Sequence, residues 1–163
     1  MRKLIAIFSI LILTSCEIQY SMLDSSIDAD TFSVEIFEEQ AANAPAGYGT
    51  RFAEYLRDFI VSRTKLKLVK ENADIEISGK IKTYNTAPVA VQSDEVAAYN
   101  RLTVSMDVSV LNNKTEKDSF KKIFSQFSDY ESSNDLSSVE ESLLEDINGK
   151  IAQDIVNQLS SNW

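Results

Sequence analysis

Leu102-Thr103-Val104-Ser105-Met106-Asp107-Val108-Ser109-Val110 alternates between apolar and polar side chains without a break. Successive side chains of a strand point to opposite faces, so five apolar residues fall on one side and Thr103, Ser105, Asp107 and Ser109 on the other. One face meets a core and the other meets water, which predicts a central strand in a sheet covered on one side only.

Working outward toward the N-terminus, Leu66 to Val69 and then Ile75, Ile77, Gly79 and Ile81 predict a second strand region, interrupted at the turn-like Glu71-Asn72 and bulged there. Before it, Phe52, Tyr55, Leu56, Phe59 and Ile60 recur at helical spacing and form one continuous face, with Thr50 as the N-cap. Pro45, Gly47 and Gly49 make the preceding stretch a loop. Thr31 to Phe37 alternates again, with Phe32, Val34 and Ile36 on the buried side. Strand, helix and strand at this spacing favour a right-handed crossover.

Toward the C-terminus, Asn112-Asn113-Lys114 marks a turn, and Phe120 to Tyr130 reads as an aromatic-rich strand. Phe124 and Phe127 differ in parity, so a bulge is expected between them. Ser138-Val139-Glu140-Glu141 has the form of a capping box opening a long terminal helix. Its stripe of Val139, Leu143, Ile147, Ile151, Ile155 and Leu159 repeats every four residues, and on a 3.6-residue helix it drifts by about 40° per repeat. The helix should therefore cross its sheet obliquely, with Gly149 off the stripe and on the surface. The order β-α-β-β-β-α gives an α+β fold, a two-layer sandwich in which a four-stranded mixed sheet carries two helices on one face.

The first residues read differently. Arg2 and Lys3 precede a run from Leu4 to Leu13 that is apolar apart from Ser9, and Thr14 and Ser15 are small. Residues 1–15 have the layout of a secretory signal. The run is far shorter than the roughly 20 apolar residues that cross a bilayer. Residues 16–30 are short of apolar side chains and rich in Ser and Asp, which reads as a tether, and 31–163 then form one domain. Cys16 is the only cysteine, so packing rather than a disulfide within the chain must hold the fold.

Charge and composition exclude several classes. The chain carries −9, and removal of residues 1–15 takes away Arg2 and Lys3 but no acidic residue, which leaves −11. Nucleic acid is a poor partner for such a surface. An acidic balance also opposes general adhesion to anionic lipid, while leaving room for a local basic patch. No histidine is present, which removes Ser-His-Asp and Cys-His nucleophile arrangements and the paired-histidine zinc helix. Gly47-Tyr48-Gly49 begins like a dinucleotide loop, but Phe52 stands where the third glycine belongs. Glu38-Glu39 and Glu140-Glu141 read as solvated surface. Asp24, Asp28 and Asp30 lack the glycine and terminal glutamate of a calcium loop. No catalytic residue, metal site or cofactor is expected.

Two resemblances add to this reading. Leu13-Thr14-Ser15-Cys16 resembles a bacterial lipobox, which implies that Cys16 is acylated and becomes the mature N-terminus. Each buried acyl methylene adds about 0.8 kcal/mol, so several chains anchor the protein firmly without spanning the membrane. The run Ala73-Asp74-Ile75-Glu76-Ile77-Ser78-Gly79-Lys80-Ile81, a proline-containing connection, Tyr99-Asn100-Arg101-Leu102-Thr103-Val104 and Phe124-Ser125-Gln126-Phe127 resemble the lipopolysaccharide-transport lipoproteins of the LptE family. That resemblance implies a non-enzymatic outer-membrane lipoprotein, facing the periplasm and seated in the lumen of the barrel LptD, where the pair delivers lipopolysaccharide to the cell surface. Family members touch the anionic glycolipid with basic loop residues, whereas Ala90-Val91-Gln92-Ser93-Asp94-Glu95 holds no basic residue here.

The connection from Tyr84 to Asn100 is the expected working surface, because hairpins normally turn in two to five residues. Pro88, Val89, Val91 and Tyr99 make it too apolar for an ordinary disordered loop, and the other possibility is that the segment merely extends its two strands. Arg101, Lys80 and Lys82 are the nearest basic groups that could meet a phosphate, or else solvated strand-face residues. A lipid-tethered adaptor of another envelope machine remains the alternative function.

Overall fold

The computed structural model describes residues 27–89 and 99–161. Six strands and two helices follow in the order β1 (Thr31–Val34), β2 (Glu38–Glu39), α1 (Tyr48–Arg63), β3 (Lys67–Leu68), β4 (Ile75–Val89), β5 (Tyr99–Asn112), β6 (Phe120–Glu131) and α2 (Leu136–Ser161). The sheet runs β3-β1-β4-β5-β6, with β2 also on β4, so it has six strands where four were expected. The extra two are short. The segment read as one interrupted strand is split by Asn72 at φ 54°, a left-handed turn that asparagine tolerates. The Lys67–Leu68 piece then lies on the far side of β1 from Ile75–Val89. β1 is parallel to both neighbours, and β4, β5 and β6 form an antiparallel meander.

β5 lies inside the sheet, between β4 and the edge strand β6. Leu102, Val104, Met106, Val108 and Val110 are all buried, and they join Phe32, Val34, Ile75, Ile77, Ile81, Phe124 and Tyr130 in one core. Both helices close that face. α1 contributes Phe52, Leu56 and Ile60, and α2 contributes Leu143, Ile147, Ile151, Ile155 and Leu159, widened by Leu144, Ala152 and Val156. Burial of each such side chain stabilises the fold by about 1.5–3 kcal/mol. The result is an α+β sandwich with an open mixed sheet.

Several local expectations fail for identifiable reasons. The first strand ends at Val34, and Ile36 is 62% exposed while Phe37 is buried. Phe37 turns inward because Gly79 leaves room for its ring: a Cβ there would meet Phe37 Cε1 at 2.3 Å. Helix α1 begins at Tyr48 rather than after Thr50, with Gly47 at φ 74° as its N-cap. The orphan N–H of Gly49 donates to Glu39 Oε1 at 2.9 Å, so β2 supplies the cap. No capping box forms at Ser138, since α2 starts earlier and the Ser138 hydroxyl donates back to Asp135 O at 2.7 Å. β6 has no bulge, because its register with β5 is unbroken and Phe127 simply faces out. The irregularity lies in β4 instead, between Ile81 and Thr83.

Two surface assignments also change. Gly149 is half-buried against α1, where a Cβ would lie 3.2 Å from the Tyr55 hydroxyl. Ser105, expected on the wet face, is covered, and Ser109 is the half-exposed member of that pair.

Candidate interaction surface

Strand pairing decides what the long connection is. β4 and β5 stay in register as far as Val89 opposite Tyr99, so the segment from Tyr84 to Val89 is strand, not loop. Of the expected seventeen-residue working loop, Tyr84 to Val89, Tyr99 and Asn100 are thus strand, while residues 90–98, Val91 among them, lie outside the described residues, as does Cys16. β2 leaves β4 after Ile81, and Lys82 to Val89 then form an edge among the described residues. Pro88 sits on that edge, the one place in a sheet where a missing N–H costs no ladder bond.

Three strand ends run side by side here, Thr83–Val89, Tyr99–Thr103 and Phe127–Glu131, with Tyr84, Leu102 and Tyr130 in the core. Tyr99 and Phe127 are exposed there. The Arg101 guanidinium stacks over the Phe127 ring at 3.6 Å and grips Asp129 through Nε and Nη2 at 2.7 and 2.8 Å. The fork-to-carboxylate bond raises the Arg101 pKa and holds Asp129 below the usual carboxylate range. This end of the sheet is fixed from the core side. Tyr84 donates its hydroxyl to Glu140 of α2 and meets the Tyr48 ring edge-on at 6.1 Å. Burial pushes the Tyr84 hydroxyl up, with the bond to Glu140 adding to it.

The three expected basic contacts do not gather into a patch. Lys80 pairs with Glu38 at 2.7 Å, and Lys82 donates to Gln40 Oε1 at 2.8 Å. Lys80 lies across from Asp107, six residues along β5 from Arg101, a separation of about 20 Å at strand rise. Each of the three is already engaged.

One polar pair escaped the sequence reading. Tyr48 is buried at the start of α1 and donates to Asn148 Oδ1 of α2 at 2.7 Å, bolting the two helices together. Burial raises the Tyr48 pKa. An asparagine one residue beyond the stripe residue Ile147 was the available signal. The glycines around Tyr48 serve the backbone rather than phosphate: Gly47 holds a positive φ, and a Cβ on Gly49 would sit 2.0 Å from Phe37 O. Among the described residues no cluster suits a metal ion, and no helix is long and apolar enough to cross a membrane.

Comparison with known proteins matches this architecture. No curated relative matches the chain. Among solved structures, a minor lipoprotein from Acinetobacter baumannii superimposes with a TM-score of 0.54 at 15% identity, covering 82% of this chain and 94% of the other. Lipoprotein B from Nitrosomonas europaea gives 0.53 at 12% identity over 90% of both chains. The protein CT253 from Chlamydia trachomatis gives 0.51 at 12% identity, covering 80% and 98%. At such identities the likeness speaks for the fold. The family model for LptE, lipopolysaccharide-assembly, matches residues 29–159, essentially the whole folded domain, and the chain therefore belongs to the LptE family of non-enzymatic lipopolysaccharide-assembly lipoproteins.

Proposed function

We propose that this lipoprotein is anchored in the outer membrane through acyl chains on Cys16, faces the periplasm, and plugs and supports an LptD-like barrel that exports lipopolysaccharide. The observation that carries the reading is the shared end of β4, β5 and β6, with its exposed rings, on a chain of this family. It presents exposed Tyr99 and Phe127, with Pro88 and Val89 on the free edge. A barrel lumen accepts such a surface without requiring net positive charge. Direct glycolipid binding through Arg101, Lys80 and Lys82 is disfavoured, because each would first have to give up its present partner.

Replacement of residues 90–98 by Asn-Gly, combined with Tyr99→Ser and Phe127→Ser, tests this surface, since that dipeptide closes a two-residue hairpin and both rings are exposed. The shortened protein should keep its thermal stability and lose co-purification with the barrel. Wild-type yield of the complex together with normal surface lipopolysaccharide would exclude this surface. Mass measurement of the mature N-terminus tests the anchor, and an unmodified Cys16, or a start at another residue, would refute it. Recovery of a different envelope complex instead of a barrel would favour the adaptor role.

A further inference from the structure

We propose that the edge formed by the end of α1 and β3, residues 63–70, rests on an anionic lipid surface, that of the bilayer holding the N-terminal anchor. The orientation implied here rests on the anchoring proposed above. Arg63, Lys65, Lys67 and Lys70 fall within eight residues that contain no acidic side chain, in a chain whose net charge is −9. All four are exposed. Arg63 has a local explanation, since a cation suits the last turn of a helix and its guanidinium lies 5.3 Å from the centre of the Phe59 ring. Lys67 and Lys70 do not share it.

Five cations elsewhere sit on carboxylates. Lys80 pairs with Glu38, Arg101 with Asp129, Lys114 with Asp30, Lys121 with Asp107 and Lys150 with Asp146. Among the described residues, neither Lys67 nor Lys70 has a carboxylate within 4.0 Å. Asp30, whose carbonyl accepts the Lys67 N–H, has its carboxylate tied to Lys114 at 2.6 Å. Asp74 is occupied by the N–H groups of Asp30 and Thr31. Asp28, Asp58 and Glu71 flank the patch and lie outside its eight residues. Beside the lysines, Leu68 is 47% and Val61 52% exposed, apolar groups of the kind that enter a headgroup layer.

Position selects lipid over other anions. Lys67 pairs with Thr31 of the first strand, and Lys65 and Lys67 line a hollow with Ile27 and Ala29, where the chain enters the domain. From Ile27 back to Cys16 the chain spans at most about 40 Å. This edge therefore lies beside the path to the anchor. A screening length of about 8 Å at physiological salt lets a nearby surface feel these lysines while the distant acidic residues are muted.

The test uses the chain from residue 16 with Cys16→Ser, which carries no acyl group, sedimented with phosphatidylcholine vesicles with and without phosphatidylglycerol. Binding should require phosphatidylglycerol and vanish at about 0.5 M salt. At about fivefold per cation, Lys65→Gln/Lys67→Gln/Lys70→Gln should weaken partitioning on the order of a hundredfold, with an unchanged melting temperature. Lys121→Gln/Lys122→Gln, on the opposite edge of the sheet, should leave it within about twofold. Equal binding to both vesicles, binding to neither, or a triple variant that binds normally would overturn the proposal. Neither barrel nor acyl chain enters this assay, so its failure and a failed co-purification with the barrel are separate results.

Discussion

Asp74 illustrates how much a single side chain organises at the residue scale. Its carboxylate accepts the N–H groups of Asp30 and Thr31, while its own N–H donates to the Thr31 hydroxyl, which locks the start of β1 against β4. The amide of Asp30, foremost among these partners, holds its pKa below the usual 3.8. A carboxyl depressed in the folded state adds stability that is complete above its ordinary pKa and is lost as pH falls through the lowered value. Asp74→Asn should therefore flatten the loss of stability below about pH 4 in acid titrations followed by circular dichroism. The Tyr48–Asn148 bond gives a second expectation. Tyr48→Phe leaves a buried carbonyl unpaired and should cost about 1–3 kcal/mol, while Tyr48→Phe/Asn148→Leu should recover much of it in denaturant titrations. Neither feature was legible in the sequence, because partners 43 and 100 residues away leave no local pattern.

At the scale of elements, periodicity carried the reading wherever one face is buried along the whole element. β5 and the four-residue stripe of α2 were legible for that reason. Met106→Asp or Val108→Asp should abolish folding, since an unpaired carboxylate in the core costs several kcal/mol against a total of about 5–15. Ser109→Asp should leave the melting temperature nearly unchanged, and equal losses at Met106 and Ser109 would contradict the facing. Periodicity failed where packing resets parity within an element. β1 breaks between Val34 and Phe37, a shift made possible by Gly79 in another strand. Gly79→Ala should destabilise by about 1–3 kcal/mol through overpacking against Phe37, read as a lower denaturation midpoint. The length of β4 and β5 was similarly obscured, because Ala87, Pro88 and Asn85 are poor strand formers held in place by pairing.

For the molecule as a whole, the order of elements was enough to name the class, since two amphipathic helices and a one-sided sheet have few ways to bury their apolar faces. Strand number and the length of the paired β4, β5 and β6 were not fixed that way. Two-residue strands carry no period, and the partner of an edge is invisible in the sequence of that edge. The candidate surface was legible as composition, in Pro88, Val89 and Tyr99, but not as geometry. The parallel placement of β1 between β3 and β4 bears on how the protein comes to be folded. The β4-β5-β6 meander pairs neighbours in sequence, whereas Phe32 must find Ile75 across an intervening helix. Contacts between distant residues carry a larger loop-closure cost and form more slowly. The strand that leaves the ribosome first is thus expected to join the sheet last, and pulse-labelled hydrogen exchange should protect amides of Met106 and Val108 before those of Phe32 and Val34. Until that step the flank of β4 stands open, so a newly made chain has an interval in which a chaperone can hold it by the place its own N-terminal strand will fill.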